Sequence, residues 1–84
     1  MHSRILNTSN KTLTPISGTT AYIDYSNEKQ ILEVAFRGGH IYQYFGVDII
    51  AWQEYKQVID SGGSSGKFVN SKIKPIYLSY QLVE

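Results

Sequence analysis

Leu32-Glu33-Val34-Ala35-Phe36-Arg37-Gly38-Gly39-His40-Ile41-Tyr42-Gln43-Tyr44-Phe45 is the stretch that decides the fold. Two alternating runs meet at Gly38-Gly39, a pair able to supply the positive φ values of a tight hairpin turn. Leu32, Val34 and Phe36 point one way, and Glu33, Ala35 and Arg37 the other. Beyond the turn, His40, Tyr42 and Tyr44 share one face, opposite Ile41 and Phe45. Register then governs which tyrosines are buried. A two-residue turn pairs Arg37 with His40. Its apolar face is Leu32, Val34, Phe36, Ile41 and Phe45, with Tyr42 and Tyr44 on the other side. One further loop residue turns the second strand over and sends both tyrosines into the core with Phe36. The sequence leaves both registers open.

A chain of 84 residues is one domain with a modest core. Without cysteine it has neither a disulfide nor a thiolate metal site. Small size and seven tyrosines therefore predict that some aromatic surface is buried between copies, as a homo-oligomer. The opening MHSRILNTSNK has no long apolar run, so it reads as neither signal peptide nor membrane span, and a cytoplasmic protein without membrane partners is expected. The formal net charge is +1. By segment it is about +1 up to Tyr25, about −2 from Ser26 to Gly63, and about +2 from Ser64 onward. That distribution does not suit a grip on long duplexes through many phosphates. It does suit a small phosphorylated ligand or a short single strand.

Residues 1–17 are polar and aperiodic, with Pro15 against any helix, and read as an N-terminal arm or a strand given to a partner. Residues 18–84 then form the single domain. Thr19 to Tyr25 alternates Ala21, Ile23 and Tyr25 against Thr20, Tyr22 and Asp24, a first strand. A turn at Ser26 to Lys29 leads into the central hairpin. Asp48 stands at an N-cap position before IIAWQEYKQVID, in which Ala51, Trp52, Tyr55, Val58 and Ile59 fall on one helical stripe. Trp52 and Tyr55 share that stripe with aliphatics and belong to the core. A short helix is expected from about Lys67 to Lys72, capped by Ser64 or Ser65, with Val69 and Ile73 inward and Pro75 ending it. The alternation in PIYLSYQLV admits a further strand. The fold class is α+β: a three-stranded antiparallel meander packed by one main helix, then a short C-terminal helix and room for an extra strand.

No catalytic constellation is legible. Gly62-Gly63-Ser64-Ser65-Gly66-Lys67-Phe68 invites comparison with a phosphate-binding P-loop. However, that motif needs four residues between its glycines and Ser or Thr after Lys. Three residues separate Gly62 from Gly66, and Phe68 follows Lys67. His2 and His40 are too few for a metal site, and no nucleophile motif is present. An enzyme is not expected, nor a cofactor or metal. A weaker reading survives, in which Ser-Ser-Gly-Lys opening a helix offers amides, hydroxyls and an ammonium to an anion.

The run from about Thr20 to Tyr77 resembles the KTSC domain, a short module also found at the C-terminus of some lysyl-tRNA synthetases. The resemblance rests on Leu32-Glu33-Val34-Ala35-Phe36, Gly39 and Tyr42-Gln43-Tyr44. It continues through Val47, Ser65-Gly66-Lys67-Phe68, Asn70, Ile73-Lys74 and Tyr77. Three departures stand out: Asp48 replaces a usual proline, the loop before Ser65 is longer, and residues 1–19 and 78–84 lie outside the pattern. The resemblance implies RNA binding as a proposed role and little chemistry.

The expected function is a non-catalytic binding module for a phosphorylated nucleotide-type ligand, sequestering it as a homo-oligomer. The alternatives are an RNA-binding module, stacking bases on tyrosines, and a protein–protein interaction module. The expected contacts are Ser64, Ser65, Gly66 and Lys67, with Asn70 and Lys74 nearby, for the phosphate. Tyr42 or Tyr44 is expected to stack on the base.

Overall fold

The structure, a computed structural model, describes residues 5–82. Strands β1 (Thr12–Leu13), β2 (Thr20–Ser26), β3 (Ile31–Phe36), β4 (Ile41–Phe45) and β5 (Ser79–Gln81) form one antiparallel sheet in chain order. Helices α1 (Ile49–Asp60) and α2 (Ser65–Phe68) lie between β4 and β5, and α2 runs on as a π-helical turn, Val69–Ile73. The α+β class holds, with a correction: the meander has five strands rather than three. The stretch read as an arm supplies β1, and the segment after Pro75 pairs as β5. No described helix is long and apolar enough to cross a membrane.

The hairpin loop holds three residues. Phe36 N–H donates to the His40 carbonyl (2.8 Å), and Gly39 N–H donates to the Phe36 carbonyl (3.2 Å). Gly38 and Gly39 have φ of 101° and 96°, values that a side chain would strain. Phe36 therefore stands opposite His40, Val34 pairs with Tyr42, and Leu32 pairs with Tyr44. Both tyrosines lie on the face that packs against the helices. Tyr44 is only 2% exposed, while Tyr42 is half-buried beside Phe36. The register with Ile41 and Phe45 in the core is ruled out.

Helix α1 starts where Asp48 Oδ1 accepts the Ala51 N–H (3.0 Å). That bond satisfies one of the donors left free by the first turn. Its stripe buries Trp52 and Tyr55, as its spacing predicts. The Trp52 ring lies nearly parallel to that of Tyr25, 5.3 Å between centroids. The Tyr25 hydroxyl donates to the Val47 carbonyl (2.7 Å). A polar tip is thus satisfied inside an apolar core. Val69 and Ile73 close the core from the π-helical turn.

Two features of the sheet depart from simple alternation. A bulge between Thr20 and Tyr22 turns Thr20 to the helix side, beyond the face that strict alternation assigns it. On the opposite face, Glu33 and Asp24 are fully buried. Glu33 accepts from the Leu6 N–H, the Gln43 amide and the Tyr22 hydroxyl, each at 2.8 Å. Asp24 accepts from the Thr8 N–H (3.0 Å), the Thr8 hydroxyl and the Tyr25 N–H (2.8 Å). The segment around Leu6 and Thr8 thus lies on the back of the sheet, tied down by two carboxylates. Residues 1–4 of the arm and residues 83–84 lie outside the described residues.

The observed register predicts that Tyr44→Ala costs about 3 kcal/mol or more, the usual loss for a large buried aromatic. Urea denaturation measures it, and a loss below about 1 kcal/mol would mark a surface site.

Candidate functional site

A groove of about 230 Å³ opens where β4 meets β5 and the end of the π-helical turn. Phe36, His40, Tyr42, Tyr44, Lys74 and Ser79 line it. Alternation along β3 and β4 puts Phe36, Tyr42 and Tyr44 on one face. Phe36 meets Tyr42 edge-on, with 5.7 Å between ring centroids. The Tyr42 and Tyr44 rings are inclined by 27°, with 6.4 Å between centroids. The Lys74 ammonium sits 5.9 Å above the Phe36 ring, within cation–π range. Gln81 of β5 ties the rim together. Its side-chain oxygen accepts from the Tyr42 hydroxyl (3.1 Å), and its amide nitrogen lies 3.0 Å from His40 Nδ1.

Three of the eight residues chosen from sequence therefore meet in one place: Tyr42, Tyr44 and Lys74. Tyr44, 2% exposed, gives the groove much less surface than the half-buried Tyr42. Phe36, His40 and Ser79 complete the lining and were missed. Phe36 reads as core from its alternation, His40 lies on this side only in the three-residue loop, and Ser79 depends on β5 forming.

The other candidates lie elsewhere. Ser64 and Ser65 line a separate cleft of about 310 Å³ with Leu13–Thr19, Ile59, Gly62 and Gly63. Ser64 caps α2 by accepting the Lys67 N–H (3.1 Å). Ser65 and Gly66 are buried, and both pack against the start of β2. Thr20 Oγ1 donates to Ser65 Oγ (2.8 Å), which also lies 2.7 Å from the Tyr55 hydroxyl. A Cβ on Gly66 would stand 2.6 Å from Thr19 Oγ1 and 2.8 Å from Thr19 Cβ, so only glycine lets the two segments approach. Lys67 and Asn70 are exposed on the helical segment and do not line the groove.

Burial dominates the tyrosine chemistry. It pushes the Tyr44 hydroxyl up to about 12, with the neighbouring Tyr42 adding to the rise. Burial likewise pushes Tyr55 up to about 12, against a smaller lowering by its hydrogen bond to Ser65. Tyr25 is raised by burial first and by the Asp48 charge second. Tyr22 is raised by burial and then by its bond to the Glu33 carboxylate.

The sequence profile of the KTSC domain matches residues 16–77. The crystal structure of a KTSC domain protein from Yersinia pestis superposes with a TM-score of 0.64 at 31% identity, covering 80% of this chain and 89% of that one. No curated protein sequence matches the chain.

Ser65→Ala should cost about 1–3 kcal/mol, because it strips a buried hydroxyl partner from both Thr20 and Tyr55. A chemical-denaturation midpoint unchanged from wild type would show that the Ser65 hydroxyl is not needed for packing. Alkaline pH provides a second test. Tyr44 and Tyr55 stay protonated in the folded state to about pH 12, whereas the unfolded chain ionises near pH 10. The folded state then binds more protons, so stability is intact below about pH 10. It falls as pH rises from about 10 toward about 12, with Tyr44 contributing less than Tyr55 because solvent screens it more. Tyrosinate absorbance should therefore rise together with unfolding, and Tyr55→Phe should flatten the slope.

Proposed function

The chain belongs to the KTSC domain family, and on that premise we propose that it is a non-catalytic binding module for a phosphorylated nucleotide-type ligand, working as a homo-oligomer. The observation that carries this reading is Lys74 standing beside Phe36, Tyr42 and His40 at the rim of one groove. A nucleotide needs a flat apolar surface for its base and a cation for its phosphate. The lining offers aromatic rings, an imidazole, an ammonium and a hydroxyl, and no carboxylate lies among these residues to repel a phosphate. Its volume of about 230 Å³ is below the roughly 300–1,000 Å³ of drug-sized pockets, which suits a single base rather than a dinucleotide.

Short RNA is the second reading. Lys67, Lys72 and Lys74 are all exposed on one helical segment, so a strand seated in the groove would gain phosphate contacts beyond it. Binding of that kind weakens steeply with salt, whereas a single pocketed nucleotide weakens less.

Calorimetry against mononucleotides, cyclic nucleotides and short RNA tests both readings. Lys74→Ala should weaken binding about tenfold, or about 1.4 kcal/mol, with the melting temperature nearly unchanged because the ammonium is exposed. Lys67→Ala should leave mononucleotide affinity as it is and reduce only the RNA affinity. Equal affinities for wild type and Lys74→Ala would remove the groove from the site.

A further inference from the structure

Leu78-Ser79-Tyr80-Gln81-Leu82 has the same pattern in both directions: apolar, polar, aromatic, polar, apolar about Tyr80. This segment is an outer strand of the sheet. The Leu78 carbonyl accepts from the Phe45 N–H (2.9 Å), and the Leu82 N–H donates to the Ile41 carbonyl (2.8 Å). Alternate residues of an antiparallel strand bond to the same neighbour. The backbone of Tyr80 therefore also faces β4, and the N–H and C=O groups of Ser79 and Gln81 point away from the sheet. Leu78 is 84% exposed and Tyr80 46%.

Proteins ordinarily protect such an edge with charge, proline, a bulge or a very short strand. Both outer strands are short: β1 has two residues and lies between Lys11 and Pro15, while the three residues of β5 are extended by the backbone bonds of Leu78 and Leu82. From Leu78 to Leu82 there is neither a charged residue nor a proline.

We propose that the β5 edge pairs with itself, joining two copies antiparallel about a two-fold axis at Tyr80. Ser79 then stands opposite Gln81 of the second copy, and Gln81 opposite its Ser79. Each pair exchanges two N–H···O=C bonds through groups that otherwise point outward. On one face Tyr80 meets its own counterpart and Leu78 meets the half-buried Leu82 of the second copy, so the exposed Leu78 and Tyr80 gain cross-strand partners. A two-fold interface must be self-complementary, and this pattern makes the strand its own complement. The uncharged strand also presents nothing that repels a copy. Because Ser79 lines the groove and the Gln81 side chain ties its rim, Gln81 of the second copy extends the groove wall across the axis.

The inference rests on the self-association in the proposed function and names its surface. Light scattering after size exclusion, run from micromolar to submillimolar protein, should give twice the 9.5 kDa chain mass at the upper end. Ser79→Pro removes an outward N–H that β4 does not use, and Tyr80→Lys places a charge on the axis. Both should return the mass to that of one chain. In the wild type, the Ser79 and Gln81 amides should exchange slowly at high concentration and rapidly on dilution, a readout that needs no variant to fold. A wild-type mass of one chain at every concentration overturns both the surface and the self-association. An oligomer that persists while these two amides exchange freely overturns the β5 edge and leaves self-association standing.

Discussion

Gly39 adds one residue to the connection between β3 and β4, and that residue sets the face on which each side chain of β4 lies. Strand side chains alternate with a period of two, so a single added residue exchanges inside for outside along the whole strand. With it, Tyr44 enters the core beside Leu32, and Tyr42 packs on Phe36 at the border. Ile41 and Phe45 turn away toward the back of the sheet. The helix layer, the groove and the outer strand all depend on this choice, because α1 packs on the face it creates and β5 pairs with the strand it orients.

The two sides of the sheet are closed by different chemistry. The helix side is apolar, with the Tyr25–Trp52 stack at its centre and hydroxyl tips bonded to backbone or side-chain oxygens. The other side buries two carboxylates, which would be costly if left unpaired. Glu33 and Asp24 avoid that cost by accepting bonds from the passing backbone at Leu6 and Thr8. Among the described residues, no buried side-chain polar atom lacks a hydrogen-bond partner. The carboxylates thus anchor a polar segment that has few apolar residues of its own to bury.

Small residues signal close approach, but not to what. Ser65 and Gly66 lie in a stretch that looks like a cradle for phosphate, and their small size also admits Thr19 and Thr20. The same chemistry, a short hydroxyl beside an unencumbered backbone, serves either purpose. What the pair packs against depends on the position of Thr20, which is set by a bulge in β2.

Local spacing determined much of the fold by itself. The α1 stripe, the Asp48 cap, a serine cap at Ser64 or Ser65 and the inward Val69 and Ile73 are all consequences of residues within a turn or two of one another. The ordered motifs from Leu32 to Tyr77 were enough to mark the family. The hairpin register, the bulge at Thr20 and the pairing of β1 and β5 were decided by tertiary structure. Each turns on a one-residue offset or a contact between distant segments, and alternation alone reads the same on either side of such an offset. The groove followed the same rule. Tyr42, Tyr44 and Lys74 were visible as candidates, but Phe36, His40 and Ser79 became their neighbours only when three strands and a helical turn converged.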